Sequence, residues 1–534
     1  MSALRPVIDE LPESRRAAAA LLDDLVALDW EELDRRLGSA VSALRRLDTQ
    51  PAGRVAVMAH NSVETVLAHA AVMLAGLSPV PISFHLTADE VAYLLDVSQA
   101  RVVLVGPETA QVAQRAAATA SRSVRVLGWR LNRSHGEQGP AAVEPVEPVE
   151  PDGSVESWEQ LVAAAASDDD TSCVRPRPPL MFTSGTTGRP KPVEQPPNTF
   201  PAASTVAELL GRFRDNPLTR FSPHLVVGPL YHTGPLTAVR LLLAGTSVVV
   251  LPRFDAEAVL RTVQEHRVAA SVMVPTHFSR LLALPSEVRN AYDTASLQRV
   301  VHTGAACPIQ VKRRMIDWWG PILEEAYGGT EVGTTNSIDT AEWLSHPGSV
   351  GKAVSPFEVL VLDESGREVP AGTPGRLCFR DSTGRGLVYA IEGLDSDSGL
   401  GPGVFTLGEI GYVDEEGYVY ITDRSADLVV SGGVNVYPAE AERVLASHPS
   451  VEDVAAFGVP HLEMGEELQA LIVLNDPRVQ PAQLLAYCRS QLAGFKCPRS
   501  VRIVDQLPRT AMGKLDKRVL REQYGAGVAV SGVR

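Results

Sequence analysis

The alternation of short apolar runs with helical stretches constrains this chain most. Arg54-Val-Ala-Val-Met and Arg101-Val-Val-Leu-Val read as buried strands. Leu33 to Leu47 and the alanine-rich Val63 to Leu77 place apolar residues at helical spacing. A chain that alternates in this way folds as an α/β protein with mainly parallel sheets covered by helices. The pattern lapses between Leu131 and Asp170, where Val-Glu-Pro recurs from Val143 to Pro151. Proline there removes backbone donors and favours extended chain, so a surface loop is expected.

From Arg299 the order strand, loop, helix returns through Val300-Val-His-Thr-Gly and a helix from Ile309 to Trp319. Glycine-rich, strand-like segments from Gly348 to Tyr420 predict a β-rich subdomain. After Asp423-Arg424 the pattern becomes a compact α+β one, with helices over Ala439–Ala446 and Pro481–Leu492 and strands over Val451–Val459 and Leu468–Leu474. The expected division is a large N-terminal domain, residues 1–423, and a small C-terminal domain, residues 424–534.

Composition narrows the function. The 534 residues carry 49 Lys+Arg against 64 Asp+Glu, a net charge of -15. That balance argues against nucleic acid or an anionic membrane surface as the main partner, while leaving room for an anion held locally by a few donors. The 5 cysteines are scattered without metal-ligand spacing, which reads as reduced thiols. The N-terminal stretch carries acids and prolines where a signal peptide needs an apolar core, and the most apolar run, near Leu241 to Leu251, is too short to span a bilayer. A cytoplasmic location is expected.

The strongest local signal is Thr183-Ser184-Gly185-Thr186-Thr187-Gly188-Arg-Pro-Lys191, directly after the apolar Leu180-Met-Phe. Small hydroxylated and glycine residues let backbone and side-chain donors approach a polyphosphate, and Lys191 adds a point charge. The spacing is not that of the P-loop. A bare Gly/Ser/Thr cluster would read as a surface turn; the complete string with its lysine favours a phosphate site.

This string resembles the phosphate loop of the adenylate-forming superfamily, which includes acyl-CoA synthetases, adenylation domains and firefly luciferase. Further motifs follow in the family's order. Tyr327-Gly328-Gly-Thr330-Glu331 resembles its YGxTE element, and Asp423-Arg424 with Ser431-Gly-Gly-Val-Asn-Val-Tyr-Pro resembles its hinge and C-terminal opening. Leu507-Pro-Arg-Thr-Ala-Met-Gly-Lys514 resembles its terminal lysine motif. Asn61-Ser-Val-Glu and Leu86-Thr-Ala-Asp-Glu fit the acyl-CoA synthetase, or acid–CoA ligase, branch.

The resemblance implies a carboxylate attacking the α-phosphorus of ATP, with Mg²⁺ as cofactor, followed by transfer of the acyl group to coenzyme A. Two anions must meet, which calls for fixed donors where negative charge develops. By resemblance, Thr183 to Gly188 hold the β- and γ-phosphates, Gly304, Ala305 and Ala306 wall the adenine with Tyr327, Thr330 contacts the α-phosphate and Glu331 holds Mg²⁺. Lys514 bridges the substrate carboxylate and the α-phosphate, His232 borders the carboxylate and gates the acyl pocket, and Gly432-Gly433 line the thiol path. The small C-terminal domain is expected to be mobile, rotating between the two half-reactions.

Four positions depart from the family pattern, one of them Arg376, which stands where many relatives carry glutamate and has no functional account. Pro192 follows the loop lysine where glycine is common, and Glu409 stands in Leu407-Gly-Glu where the ribose-binding aspartate falls, with Arg424 nearby in the motif set. The hinge position is Ala426 rather than Asp or Lys, with Asp427 beside it. Without the polar contacts of a charged hinge, an alternative is an adenylation-only enzyme that passes its acyl-adenylate to a separate ligase or carrier protein. A catalytically inactive nucleotide binder is a third reading, which Lys514 and Glu331 weigh against. Around Tyr231-His-Thr-Gly-Pro-Leu236 there is no aspartate to meet an α-amino group. Val301-His-Thr-Gly-Ala-Ala-Cys-Pro308 resembles ligases for fatty, steroid-side-chain and terpenoid acids, implying a bulky apolar small-molecule acid.

Overall fold

The computed structural model describes residues 4–50, 53–131, 155–165, 173–184, 190–305, 307–363, 365–387, 401–424, 429–436, 438–508 and 517–524. Two compact units emerge: residues 1–181, 194–272 and 290–300 form one, and residues 182–193, 273–289 and 301–534 the other.

The first unit is α/β, as expected. Its five-stranded sheet runs Ser78–Pro81, Arg54–Met58, Val102–Val105, Arg125–Gly128 and Val155–Ser157, every neighbouring pair parallel. A second set of strands joins Ala270–Met273, His224–Val226, Val248–Val250 and Leu21–Leu22 in parallel, with Ala27–Leu28 added antiparallel. The helix Val63–Leu74 buries nearly every residue it has, which suits an all-round apolar helix enclosed by neighbours. Its Ser62 cap accepts the Thr65 amide at 3.1 Å. The helix stops at Leu74, earlier than Leu77, because the chain turns through Ala75-Gly76 into the strand Ser78–Pro81.

One expectation is corrected. The stretch assigned to loop contains the strand Val155–Ser157 and the helix Trp158–Ala163, whose Ser157 cap accepts the Gln160 amide at 3.2 Å. A three-residue edge strand and a six-residue helix are too short to leave a periodic signal; parallel pairing with Arg125–Gly128 holds the strand in place. The Val-Glu-Pro repeat lies outside the described residues.

The second unit is richer in antiparallel sheet. Leu323–Gly329 pairs antiparallel with Gly333–Asp339, which pairs with Lys352–Ala353. The β-rich stretch forms a sheet in the order Phe357–Leu362, Gly375–Asp381, Glu409–Val413, Val419–Arg424, with Val404–Phe405 also on Gly375–Asp381. Beyond it, the long hairpin Val451–His461 and Gly465–Leu474 carries Ser500–Ile503 in parallel and Val429–Ser431 antiparallel. Helices Pro438–Ala446 and Pro481–Gln491 cover a core that includes Ala441, Leu445, Ala470, Ile472 and Leu484. Among the described residues no helix is long and apolar enough to cross a membrane, and all 5 cysteines are free.

Candidate active site

The Tyr327–Glu331 string runs off the end of the strand Leu323–Gly329 into a tight turn, where the Val332 amide donates to the Gly329 carbonyl at 3.2 Å. The register shifts between Tyr327 and Gly328. A side chain at Gly328 would collide with the Gly333 carbonyl, so this position admits only glycine without moving the turn. Thr330 and Glu331 are thereby presented at the tip. Glu331 is half-buried and has no hydrogen-bond or ion-pair partner among the described residues.

Tyr327 donates its hydroxyl to Glu409 Oε2 at 2.8 Å, joining two strings that lie 82 residues apart. One apolar cluster anchors both. Val332, Phe357, Phe379 and Phe405 are buried, and Tyr327 and Leu407 pack against them. Glu409 itself is 5% exposed and begins the strand Glu409–Val413, opposite Arg424 in the antiparallel register. The Glu409 and Arg424 positions are therefore cross-strand neighbours, as a shared ribose site would need.

A glycine turn of the C-terminal segment lies close to the Gly304 turn. Gly433 has φ +80°, and a methyl group placed there would press on Val274 at 3.3 Å. A methyl on Gly304 would stand 3.7 Å from Val274 and 3.9 Å from the Gly433 carbonyl oxygen. The Gly304 turn, Val274 and the Gly432-Gly433 turn thus meet, and the positive φ of Gly304, Gly432 and Gly433 favours glycine at these positions. Nearby, Arg280 on the helix Pro275–Ala283 pairs with Glu463 at 2.9 Å, at the tip of the hairpin that follows.

In the first unit, His232 occupies the N-cap position of the helix Thr233–Leu243, without a capping side-chain hydrogen bond, and sits among rings. Tyr231 lies 4.4 Å from it, Phe84 is 5.2 Å from Tyr231, and His60 and His85 each stand 4.3 Å from Phe84. His232 is half-buried by area, yet this enclosure, with His85 as a second cause, pushes its pKa down to about 4. Its imidazole is neutral at physiological pH. The loop before it is held by Asn61, a buried residue. The Asn61 amide donates to the Gly228 and Leu251 carbonyls at 2.9 and 3.2 Å and accepts from the Leu230 amide at 2.9 Å.

Thr183 and Ser184 end the strand Leu180–Ser184, and Lys191 lies in its partner strand Pro190–Glu194. Gly185, Thr186, Thr187, Gly188, Ala306, Ala426 and Lys514 lie outside the described residues, as do Asp427 and the side chain of Arg424.

Sequence reasoning passed over two features. Asn61 was assigned only to a family string, with no role. The second is a buried ion pair, Lys312 Nζ to Glu325 Oε2 at 2.6 Å, with His302 Nε2 3.5 Å from the same oxygen. Its signal was legible: Lys312, Met315 and Trp319 share the buried face of one helix, and a lysine on such a face requires a partner.

Comparison with known proteins agrees with this geometry. The family described as AMP-binding enzyme matches residues 9–386, and the AMP-binding enzyme C-terminal domain matches residues 440–514. The chain is 32% identical over 514 residues to a feruloyl-CoA synthase of an Amycolatopsis species, covering 95% of this chain and 96% of that protein. It is 32% identical over 515 residues to a Rhodococcus jostii ligase that joins a methyl-dioxo-octahydroindenyl propanoate to CoA, covering 94% and 95%. Among solved structures, the amide bond synthetase of Marinactinospora thermotolerans superposes with a TM-score of 0.78 at 24% identity over 98% of this chain and 100% of that one, a likeness of fold. MatB of Rhodopseudomonas palustris superposes at 0.61 with 27% identity, over 98% and 99%. The domain matches and the full-length relatives together place this chain in the AMP-binding enzyme family, the adenylate-forming superfamily, among acid–CoA ligases.

Proposed function

We propose that this enzyme is an AMP-forming acid–CoA ligase. It activates a bulky, largely apolar carboxylic acid with ATP to an acyl-adenylate and then transfers the acyl group to coenzyme A. The observation that carries the CoA step is the meeting of the Gly432-Gly433 turn with Val274 and the Gly304 turn. In this reading the thiol path would run beside the Gly304 part of the adenine wall. Close approach supports direct thioester formation over release of the adenylate to a carrier protein or partner ligase, despite Ala426 at the hinge.

In the first half-reaction the acid's carboxylate attacks the α-phosphorus and pyrophosphate leaves. Thr183 to Gly188 and Lys191 bind the outgoing phosphates, Thr330 meets the α-phosphate, and Lys514 bridges it to the carboxylate. Tyr327 flanks the adenine, and Glu409, fixed by the Tyr327 hydroxyl, accepts from the ribose hydroxyls. A half-buried carboxylate without a described partner suits a hard cation, so Glu331 would hold Mg²⁺, which when bound offsets phosphate charge. Neutral His232 borders the acyl pocket without adding a charge that would compete with Lys514 for the substrate carboxylate. The catalytic N-terminal domain is assigned to residues 1–423 and the mobile domain bearing Lys514 to residues 424–534, with the enzyme acting in the cytoplasm.

The test is pyrophosphate exchange across fatty, aromatic and polycyclic acids, followed by CoA thioester formation with the acids that exchange. Exchange with bulky apolar acids and a thioester product are expected, and Lys514→Ala should abolish exchange. Exchange without thioester would establish the adenylation-only alternative; full exchange in Lys514→Ala would overturn the catalytic assignment.

A further inference from the structure

We propose that Lys312 and Glu325 are a positioning pair that sets the adenine wall, an inference resting on the assignment of Gly304–Ala306 and Tyr327 to the nucleotide. Three elements converge on one carboxylate oxygen. His302 ends the strand Arg299–His302, two residues before Gly304. Lys312 lies in the first turns of the helix Ile309–Trp319, which begins as soon as the Gly304 turn is complete. Glu325 lies on the strand Leu323–Gly329, two residues before Tyr327 and so on the same strand face. Lys312–Glu325 therefore fastens the turn where the chain leaves it to the strand that carries its partner wall, while His302, 3.5 Å from the same oxygen and without a hydrogen bond, only packs beside it where the chain enters.

The chemistry is directional rather than adhesive. Lys312 is fully buried and also stands 4.8 Å above the Trp343 ring, itself buried. Burial drives His302 toward its neutral form, so the imidazole does not compete as a second cation for Glu325. A buried ion pair contributes little net stability compared with apolar residues of the same volume. What apolar residues cannot reproduce is a 2.6 Å bond of fixed direction between helix and strand. Loss of that bond should let the Gly304 turn and Tyr327 shift relative to each other while the core stays filled.

The deciding variant is Lys312→Met/Glu325→Leu, compared with wild type and Tyr327→Ala in pyrophosphate exchange and by denaturation midpoint. The double variant should keep its midpoint and its KM for the acid within about twofold while KM for ATP rises about tenfold. Tyr327→Ala should also raise KM for ATP. A double variant with wild-type KM for ATP, or with equal rises for ATP and acid, overturns the positioning role. If Tyr327→Ala leaves KM for ATP unchanged, the nucleotide assignment itself falls. If only the double variant leaves it unchanged, the assignment stands and the pair is structural. Should the double variant fail to fold, Glu325→Gln keeps the volume and weakens the bond, and the same split between ATP and acid decides.

Discussion

The two regions that carry candidate site residues, one in each unit, differ in how they are built. Around His232, in the first unit, the neighbours are rings, and the polar brace is Asn61 on backbone carbonyls. Around Tyr327, in the second, apolar packing on Phe357, Phe379 and Phe405 is joined by directional polar bonds: Glu409 on the Tyr327 hydroxyl, and Lys312 on Glu325 two residues away. Under the proposed function, the region around His232 would meet an apolar acid, recognised by shape, and the region around Tyr327 a nucleotide, recognised through oriented donors and acceptors. The difference explains why burial depresses His232, while Glu325, pushed up by burial, is pulled back by Lys312.

The sharpest attack on this contrast is Glu409→Ala. It should raise KM for ATP by about tenfold or more and leave KM for the acid nearly unchanged, measured by pyrophosphate exchange. An equal rise for both substrates would show that the two sides are not separable.

Acid stability comes next. Burial holds His224 and His232 at about 4 and His69 at about 3 in the first unit, and in the second holds His277 at about 3 and pushes His302 well below its ordinary value. Each folded value lies below the unfolded value of 6.5. The stability each contributes is therefore complete above pH 6.5 and lost as pH falls toward the folded value. For a residue at about 4 the loss is about 3 kcal/mol. Glu325 has the opposite sign: its raised folded value contributes stability at low pH that disappears as pH rises through that value. The first unit should thus lose hydrogen-exchange protection at a higher pH than the second. Simultaneous loss would mean that the two units unfold as one.

Tyr327→Phe removes a single hydrogen bond from Glu409. At about 1 kcal/mol it should raise KM for ATP roughly fivefold without changing the acid preference, again by exchange kinetics. The smallest effect belongs to the exposed pair Arg280–Glu463, whose side chains are 44% and 52% accessible. Pairs of this kind contribute below about 1 kcal/mol. Arg280→Glu should slow thioester formation a few-fold with adenylation intact, and Arg280→Glu with Glu463→Arg should recover it. A pair that joins a lobe expected to move must be cheap to break, unlike the buried Lys312–Glu325.

Much of this was legible in order along the chain. Strand–helix alternation, the helix Ile309–Trp319 and the compact C-terminal pattern follow from local periodicity, which each segment carries within itself. The motif strings likewise stood out because small, hydroxylated and charged residues sit at fixed spacing. The short strand and helix at Val155–Ser157 and Trp158–Ala163 were hidden, since neighbouring strands rather than periodicity hold them. Asn61 was hidden as well: its partners lie more than 160 residues away, and no local spacing announces them.

Opposed to the net charge of -15, which describes the chain as a whole, the site depends on a few donors and acceptors in particular places. The sequence by itself determined the α/β class, the ordered motifs and the residue types able to meet a nucleotide and an acid. Only the tertiary structure decided that Tyr327 meets Glu409, that Gly433 closes on Val274 beside Gly304, and that Lys312 and Glu325 share a buried bond. Local propensity is written within a few residues of each position. Contacts between distant segments are chosen by packing and by the need to satisfy buried polar groups, which exist only once the chain has folded.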